Sequence, residues 1–339
     1  MKRRVHSFGS DLLGSVLMRL LSAWRLAEKL DAELVCHWPE QTVQRSGFRF
    51  SDLFEGDPPF TLSHEYPNFG DLPRLDGATD GLNIDPAKLA PEFVYSSTGI
   101  RLLPGEDLAE ARQEARALFS RLKLVAPILD AIAEIDSAVP LKDAMAVHVR
   151  RGSDLVPRLL LGDLPPGVEE GNVRGYARMF VDLESYRRAI KDLGSPKCFV
   201  FCADDADRAQ MKRDIDGYSV DEFPSIQRLA PLQRDLAEIL VMSRTARLLG
   251  PKSNYSGLAR LLGDLHLEWV ARWILPEEIV AMVKQDFATR PDLQARIISA
   301  SAEFYARVAP AASAHFAKVA RGIEAQLSSE APVSQGLSG

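Results

Sequence analysis

Cysteine is scarce in this chain. Cys36, Cys198 and Cys202 are three, an odd number, and each lies in an apolar run that reads as a buried strand. Such a set supports neither a disulfide framework nor a zinc site, and the gap between Cys198 and Cys202 is not that of a redox pair. They read as buried free thiols in a reducing compartment. An excess of basic charge is missing too: 41 Lys and Arg stand against 47 Asp and Glu, a net charge of -6. That disfavours a nucleic-acid partner, although a few local arginines suffice to hold a small anion. Long apolar runs are also absent, so no membrane span is expected. The basic start Lys2-Arg-Arg4 is followed by Asp11 and Arg19, which break the apolar core a signal peptide needs. Cytoplasmic residence is expected by elimination. His6, His37, His64, His266 and His315 show no metal-ligand spacing and read as surface or satisfied core residues. There is no Gly-x-Ser-x-Gly elbow and no Walker loop, and no Asp-x-Asp sugar-nucleotide metal motif is expected. Neither a metal nor a cofactor is expected.

What is present is ordinary globular material. The chain has 339 residues, 46% of them hydrophobic and 26% charged, enough for two domains. Val5 to Phe8 reads as a strand, with Gly9, Ser10 and Asp11 as a turn and helix cap. Leu13, Val16, Leu17, Leu20, Trp24, Ala27 and Leu30 then recur at helical spacing, and Leu34 to Trp38 is a second strand. Residues 41–105 are rich in Pro, Gly and Asp with isolated aromatics, and read as long surface loops suited to an acceptor. One apolar stripe from Leu108 to Ile132 predicts a long helix kinked at Pro127, with a linker over Asp136 to Asp143. Strands at Ala144 to Val149, Cys198 to Cys202 and Ala246 to Leu249 alternate with helices near 205–215 and 232–243, which implies a covered parallel sheet. From about 266 the pattern is helical, with Trp269 and Trp273 sharing a helix face. The expected division is an N-terminal α/β domain over 1–140, a C-terminal α/β domain with a helical extension over 141–327, and a disordered tail over 328–339.

The sharpest signal is Ala146-Val-His-Val-Arg-Arg-Gly-Ser-Asp154, a buried strand running into two arginines. Ligands of open α/β sheets bind beyond the carboxyl ends of the strands. Arg150 and Arg151 there offer bidentate, charge-assisted bonds to phosphate oxygens, and Gly152 lets backbone approach the ligand. Without a partner, two arginines at a buried strand end would be costly. In Phe199-Val-Phe-Cys-Ala-Asp-Asp205 the acids Asp204 and Asp205 suit ribose or base donors, or simply cap the following helix. Ser253, Asn254, Tyr255 and Ser256 open a helix, whose hydroxyls and N–H groups suit a phosphate or ordinary capping. Gly14, beyond the Gly9-Ser-Asp11 turn, suits close helix packing.

The Arg-Arg segment resembles the His-x-Arg-Arg motif of the GDP-fucose-dependent fucosyltransferases (α1,2-, α1,6- and protein O-), most closely the bacterial nodulation-type α1,6 group. The segments at Asp204–Asp205 and from Glu238 to Ser256, and the Gly9–Gly14 turn, resemble parts of the same group. The resemblance touches residues 5–38 and 144–265. It implies two Rossmann-like domains in a GT-B-type architecture, GDP-fucose as donor, a glycan acceptor, inversion, and no divalent metal. It further implies that Arg150 and Arg151 neutralise the departing diphosphate, that His148 lies beside the nucleotide, and that Glu238 matches the acid recognising the base, with Asp235 as competitor. Some members place an acid two residues after the second arginine; here Asp154 is three residues on.

The acceptor's proton needs a base. Asp154, Glu169 and Glu170 are the candidates, on a stretch (155–175) that reads as a mobile loop. Two other readings stand beside sugar transfer. A phosphohydrolase would need a second catalytic histidine, and no other histidine reads as lying at a clear strand end; a non-catalytic nucleotide-sugar or glycan-binding protein could keep the fold without the base. Acceptor identity and oligomeric state are not legible.

Overall fold

The computed structural model describes residues 2–9, 12–41, 47–65, 67–77, 79–150, 155–162, 164–179, 181–194 and 196–330. The described chain divides into two compact units. One comprises Met1–Ala146, Tyr218–Leu248 and Ser253–Leu267; the other comprises Val147–Gly217, Leu249–Lys252 and Glu268–Gly339.

The first unit is built on a five-stranded sheet. Its order is Thr61–Ser63, Glu33–His37, Arg4–Phe8, Glu92–Tyr95, Arg74–Leu75. All of its pairings are parallel, in a register that sets Val5 opposite Leu34 and Phe8 opposite His37. The order reverses at Arg4–Phe8, so the Gly9 turn leaves the sheet at the switch point, where α/β sheets hold ligands. The helix Leu13–Lys29 follows and is buried on almost every side, as its dense apolar spacing predicts. Its Arg25 is buried too, and bonds Glu114 at 2.8 Å and the Arg101 carbonyl at 2.9 Å, the pairing that a buried charge requires.

Gly14 on this helix meets the helix Asn254–Gly263. A Cβ at Gly14 would lie 3.0 Å from the Asn254 carbonyl oxygen and 3.0 Å from Tyr255 Cα. Both atoms are backbone and cannot swing aside, so the sequence reading of close helix packing holds. Gly14→Ala should therefore destabilise the protein by about 1–3 kcal/mol through overpacking. A urea midpoint equal to wild type would show that the two helices part without cost.

Several expectations are corrected. The stripe from Leu108 to Ile132 is not one kinked helix. It is two helices, Leu108–Phe119 capped by Asp107 and Ala126–Ala138 with Pro127 in its first turn, and Lys123–Leu124 between them pairs with Phe54–Glu55. A proline has no N–H to lose in a first turn, so it starts a helix there instead of bending one. The expected linker is mostly this second helix and a short turn at Leu141–Asp143. The aromatics of 41–105 are not all on the surface: Phe48, Phe50 and Phe54 are buried, packed with Trp38 and one another.

The other sheet runs Tyr218–Ser219, Cys198–Cys202, Met145–Val149, Arg247–Gly250, Leu267–Trp269. Both Met145–Val149 and Cys198–Cys202 are buried throughout, and the three cysteines are free and buried. Residues 155–175 are helical where described, in Val156–Leu161 and Pro166–Met179, and not a loop. Trp269 and Trp273 do not share a helix: Trp269 ends a strand, and Trp273 closes a short 3-10 turn and donates to Asp192 at 3.0 Å. The second unit ends in the helices Pro276–Asp286, Pro291–Tyr305 and Pro310–Glu330, packed around Phe287, Tyr305 and Phe316. The α/β class and the helical C-terminal extension are as the sequence predicts.

Candidate functional site

The strand Met145–Val149 ends in Arg150, and the strand order reverses at this strand. Arg150 therefore sits where a ligand crevice opens in such sheets. The peptide that carries it is held from inside. Tyr186, fully buried on the helix Leu183–Asp192, donates its hydroxyl to the His148 carbonyl at 3.0 Å. The Tyr186 hydroxyl oxygen in turn accepts from the Arg150 N–H at 3.4 Å. Burial pushes the Tyr186 phenol up, so it stays protonated and able to donate. Asp182 caps that helix, accepting from Ser185 N at 2.7 Å. The sequence reading missed Tyr186, whose stripe with Leu183, Ala189 and Ile190 looks like plain core; its hydroxyl within that stripe is the one signal.

His148 is 6% exposed. Burial, then the charge of Arg150, lowers its imidazole to about 3, so it is neutral at physiological pH. Gly250 on the neighbouring strand lies against it: a Cβ there would come within 3.2 Å of the His148 Cβ and carbonyl oxygen. His148 is thus a packed core residue at the root of the Arg150 turn. Arg151, Gly152 and Asp154 lie outside the described residues.

Asp204 and Asp205 follow the strand Cys198–Cys202. Asp204 caps the helix Asp205–Ile215, accepting from Asp207 N at 2.9 Å. Asp205 has a side chain 88% exposed and pairs with Arg208. The spelling Asp-x-Asp does occur here, at Asp205–Asp207 and again at Asp214–Asp216. Asp214 pairs with Arg187, and among the described residues no three His, Cys, Asp or Glu side chains converge as metal ligands.

The remaining candidates lie in the first unit. Ser253 caps the helix Asn254–Gly263, accepting from Ser256 N at 3.2 Å, and its hydroxyl lies 2.9 Å from that of the buried Ser256. Asn254 donates to Ser15 Oγ at 2.7 Å. The Tyr255 hydroxyl lies 3.0 Å from the Asp235 carbonyl and 3.1 Å from Glu238 Oε2. Glu238 Oε1 takes Arg234 Nε at 3.3 Å, and Arg234 also pairs with Asp221. Burial raises the Glu238 carboxyl against the opposing pull of Arg234 and Tyr255. Asp235 is exposed. A Cβ at Gly9 would fall 2.6 Å from Arg19 Nη1, so the end of that side chain, which donates from Nε to the Ser96 carbonyl at 2.8 Å, would have to shift. Ser10 and Asp11 lie outside the described residues.

His6 and His37 are more than isolated core histidines. His6 Nε2 lies 2.7 Å from Glu92 Oε1, and His6 Nδ1 lies 2.9 Å from His37 Nε2. His37 Nδ1 is buried with no hydrogen-bond partner among the described residues. Burial, then His6, lowers the His37 imidazole to about 4. His37 also closes the strand Glu33–His37, so a second histidine does stand at a strand end, contrary to the sequence reading.

No family profile and no curated protein matches this chain. Among solved structures, it is similar to the NodZ alpha-1,6-fucosyltransferase soaked with GDP-fucose, at 18% identity and a TM-score of 0.47 over 77% of this chain and 93% of that one. It is similar to fucosyltransferase NodZ from Bradyrhizobium at 17% identity and a TM-score of 0.48, over 77% of this chain and 94% of that one. It is also similar to POFUT1 in complex with GDP at 12% identity and a TM-score of 0.43, over 79% of this chain and 98% of that one. Likenesses of this size carry no activity across to this chain.

Proposed function

We propose that this protein is an inverting, metal-independent glycosyltransferase that moves fucose from GDP-fucose to a glycan acceptor. The observation that carries the reading is Arg150, set at the end of a buried strand where the strand order reverses, with its peptide fixed by Tyr186. The resemblance of its segment to the His-x-Arg-Arg motif supports the choice of donor. In the reaction, the acceptor hydroxyl oxygen bonds to the anomeric carbon as the bond from that carbon to the β-phosphate oxygen breaks. The electron pair leaves on GDP, where Arg150 and Arg151 offset the growing charge, the task of a metal ion elsewhere. Asp154 takes the acceptor's proton. Glu169 and Glu170 suit that role less, because both pair with Arg296, and its hydrogen bond, ahead of Arg174, holds the Glu170 carboxyl below its ordinary range. A phosphohydrolase is disfavoured because His148, buried within the strand, is no accessible nucleophile.

Calorimetry with GDP and UDP, paired with a GDP-release assay on GDP-fucose in excess EDTA, tests the proposal. GDP should bind more tightly than UDP, and release should continue in chelator. Tighter UDP binding would sink the donor. Activity lost in EDTA and restored by magnesium or manganese would sink the mechanism.

A further inference from the structure

The second unit holds a notch that the donor chemistry leaves unused. One wall is the helix Pro166–Met179, the other the helix Pro291–Tyr305. The first wall contributes Gly171, Arg174, Gly175 and Arg178, spaced three and four apart and so on one helix face. The second contributes Ala300, Glu303 and Phe304. The cavity measures about 350 Å³, within the range of small-molecule sites. Gly171 opens it: nothing lies within 4 Å of a Cβ placed there.

The charge in the notch is unbalanced. Arg174 pairs with Glu170 at 2.9 Å. Arg178 makes no hydrogen bond or ion pair among the described residues, and Glu303 is the notch's one carboxylate. Desolvation, then the nearby charge of Arg150, pulls the Arg178 guanidinium below its ordinary range, so an incoming anion would relieve it. Phe304 offers a ring of the kind that packs against the apolar face of a sugar.

We propose that this notch is a subsite for an acidic sugar residue of the acceptor, with Arg178 and Arg174 binding its carboxylate or phosphate and Phe304 packing against its ring. That the ligand belongs to an acceptor rests on the glycosyltransferase reading; the binding of an anionic sugar does not. The acceptor is then an acidic glycan.

Glucose, glucuronate and glucose 6-phosphate are titrated separately into the full chain, without nucleotide, and GDP is titrated as an independent control. Both acidic sugars, or one of them, should bind about tenfold or more tightly than glucose, and the preference should shrink in high salt. The stronger of the two identifies the anion. Arg178→Ala should erase the preference, with Gly171→Leu as the variant that should leave GDP affinity unchanged, because it alters no charge near Arg150. Gly171→Leu, which plugs the notch without altering charge, should abolish sugar binding altogether. Equal binding of all three sugars to the wild type, or an undiminished preference in Arg178→Ala, would overturn the proposal. Absence of GDP binding alongside a retained acidic preference would sink the donor reading and leave the subsite intact.

Discussion

Replacing Arg150 with alanine should lower donor turnover by ~10²–10³ while leaving the circular dichroism spectrum unchanged. Negative charge on the bridging oxygen grows as the glycosidic bond breaks. A fixed guanidinium aimed there binds the transition state more strongly than the ground state, and only that difference speeds the reaction. Loss of one preorganised donor of this kind typically costs about 3–4 kcal/mol. Tyr186 supplies the fixing, with its hydroxyl bonding the main chain on both sides of Val149. Arg150→Lys should recover part of the rate, since the charge returns without the planar fork. Steady-state kinetics decide the matter. A kcat near wild type in Arg150→Ala would reduce Arg150 to a solvated side chain, whose loss moves stability by no more than about 0.5 kcal/mol.

Acidification should weaken the fold through His148. An unfolded histidine titrates near ~6.5, whereas buried His148 takes its proton only at about 3. Between those values the unfolded chain binds a proton that the folded chain refuses. The stability that neutral His148 contributes is therefore whole above ~6.5 and drains as pH falls toward the folded value. From ~6.5 to ~4.5 the loss is on the order of 3 kcal/mol, at about 1.4 kcal/mol per pH unit. His37, lowered to about 4, adds loss of the same sign across the whole of that window. Urea unfolding at a series of pH values checks this. His148→Asn, though less stable at neutral pH, should show a slope shallower by His148's share. Equal slopes in the two proteins would mean that His148 titrates near its ordinary value.

Local patterns carried much of the fold. The strand Cys198–Cys202 and the helix Asp205–Ile215 were legible because an unbroken apolar run and an acidic cap are local signals. Arg150 was legible because arginines at the end of a buried strand violate the burial rule. Pro127 misled, because the apolar stripes of two consecutive helices stay in phase across the break at Lys123–Leu124 and the proline's role depends on where the helix begins. Tyr186 was hidden because an aromatic in an apolar stripe looks alike whether or not its hydroxyl has a partner. The pairing of His6 with His37 joins residues on different strands, and Ser15 meets Asn254 from across most of the chain; no periodicity records such meetings. Asp204 and Ser253 both turned out to cap helices, the plainer of the two readings each allowed.

The contact of Gly14 with Asn254 and Tyr255 has a bearing on biosynthesis. The helix Leu13–Lys29 is synthesised long before its packing partner Asn254–Gly263. Translation must run from Ala146 to Leu267 before every piece of the first unit exists, a wait of roughly 6–24 s at about 5–20 residues per second. Throughout that interval a strongly apolar helix lacks one of its neighbours. The nascent protein therefore has a window in which holdase chaperones would find a target, and it closes only once Asn254–Gly263 has been made. Synonymous codon changes that slow elongation between these two points should lengthen that window without altering the finished molecule.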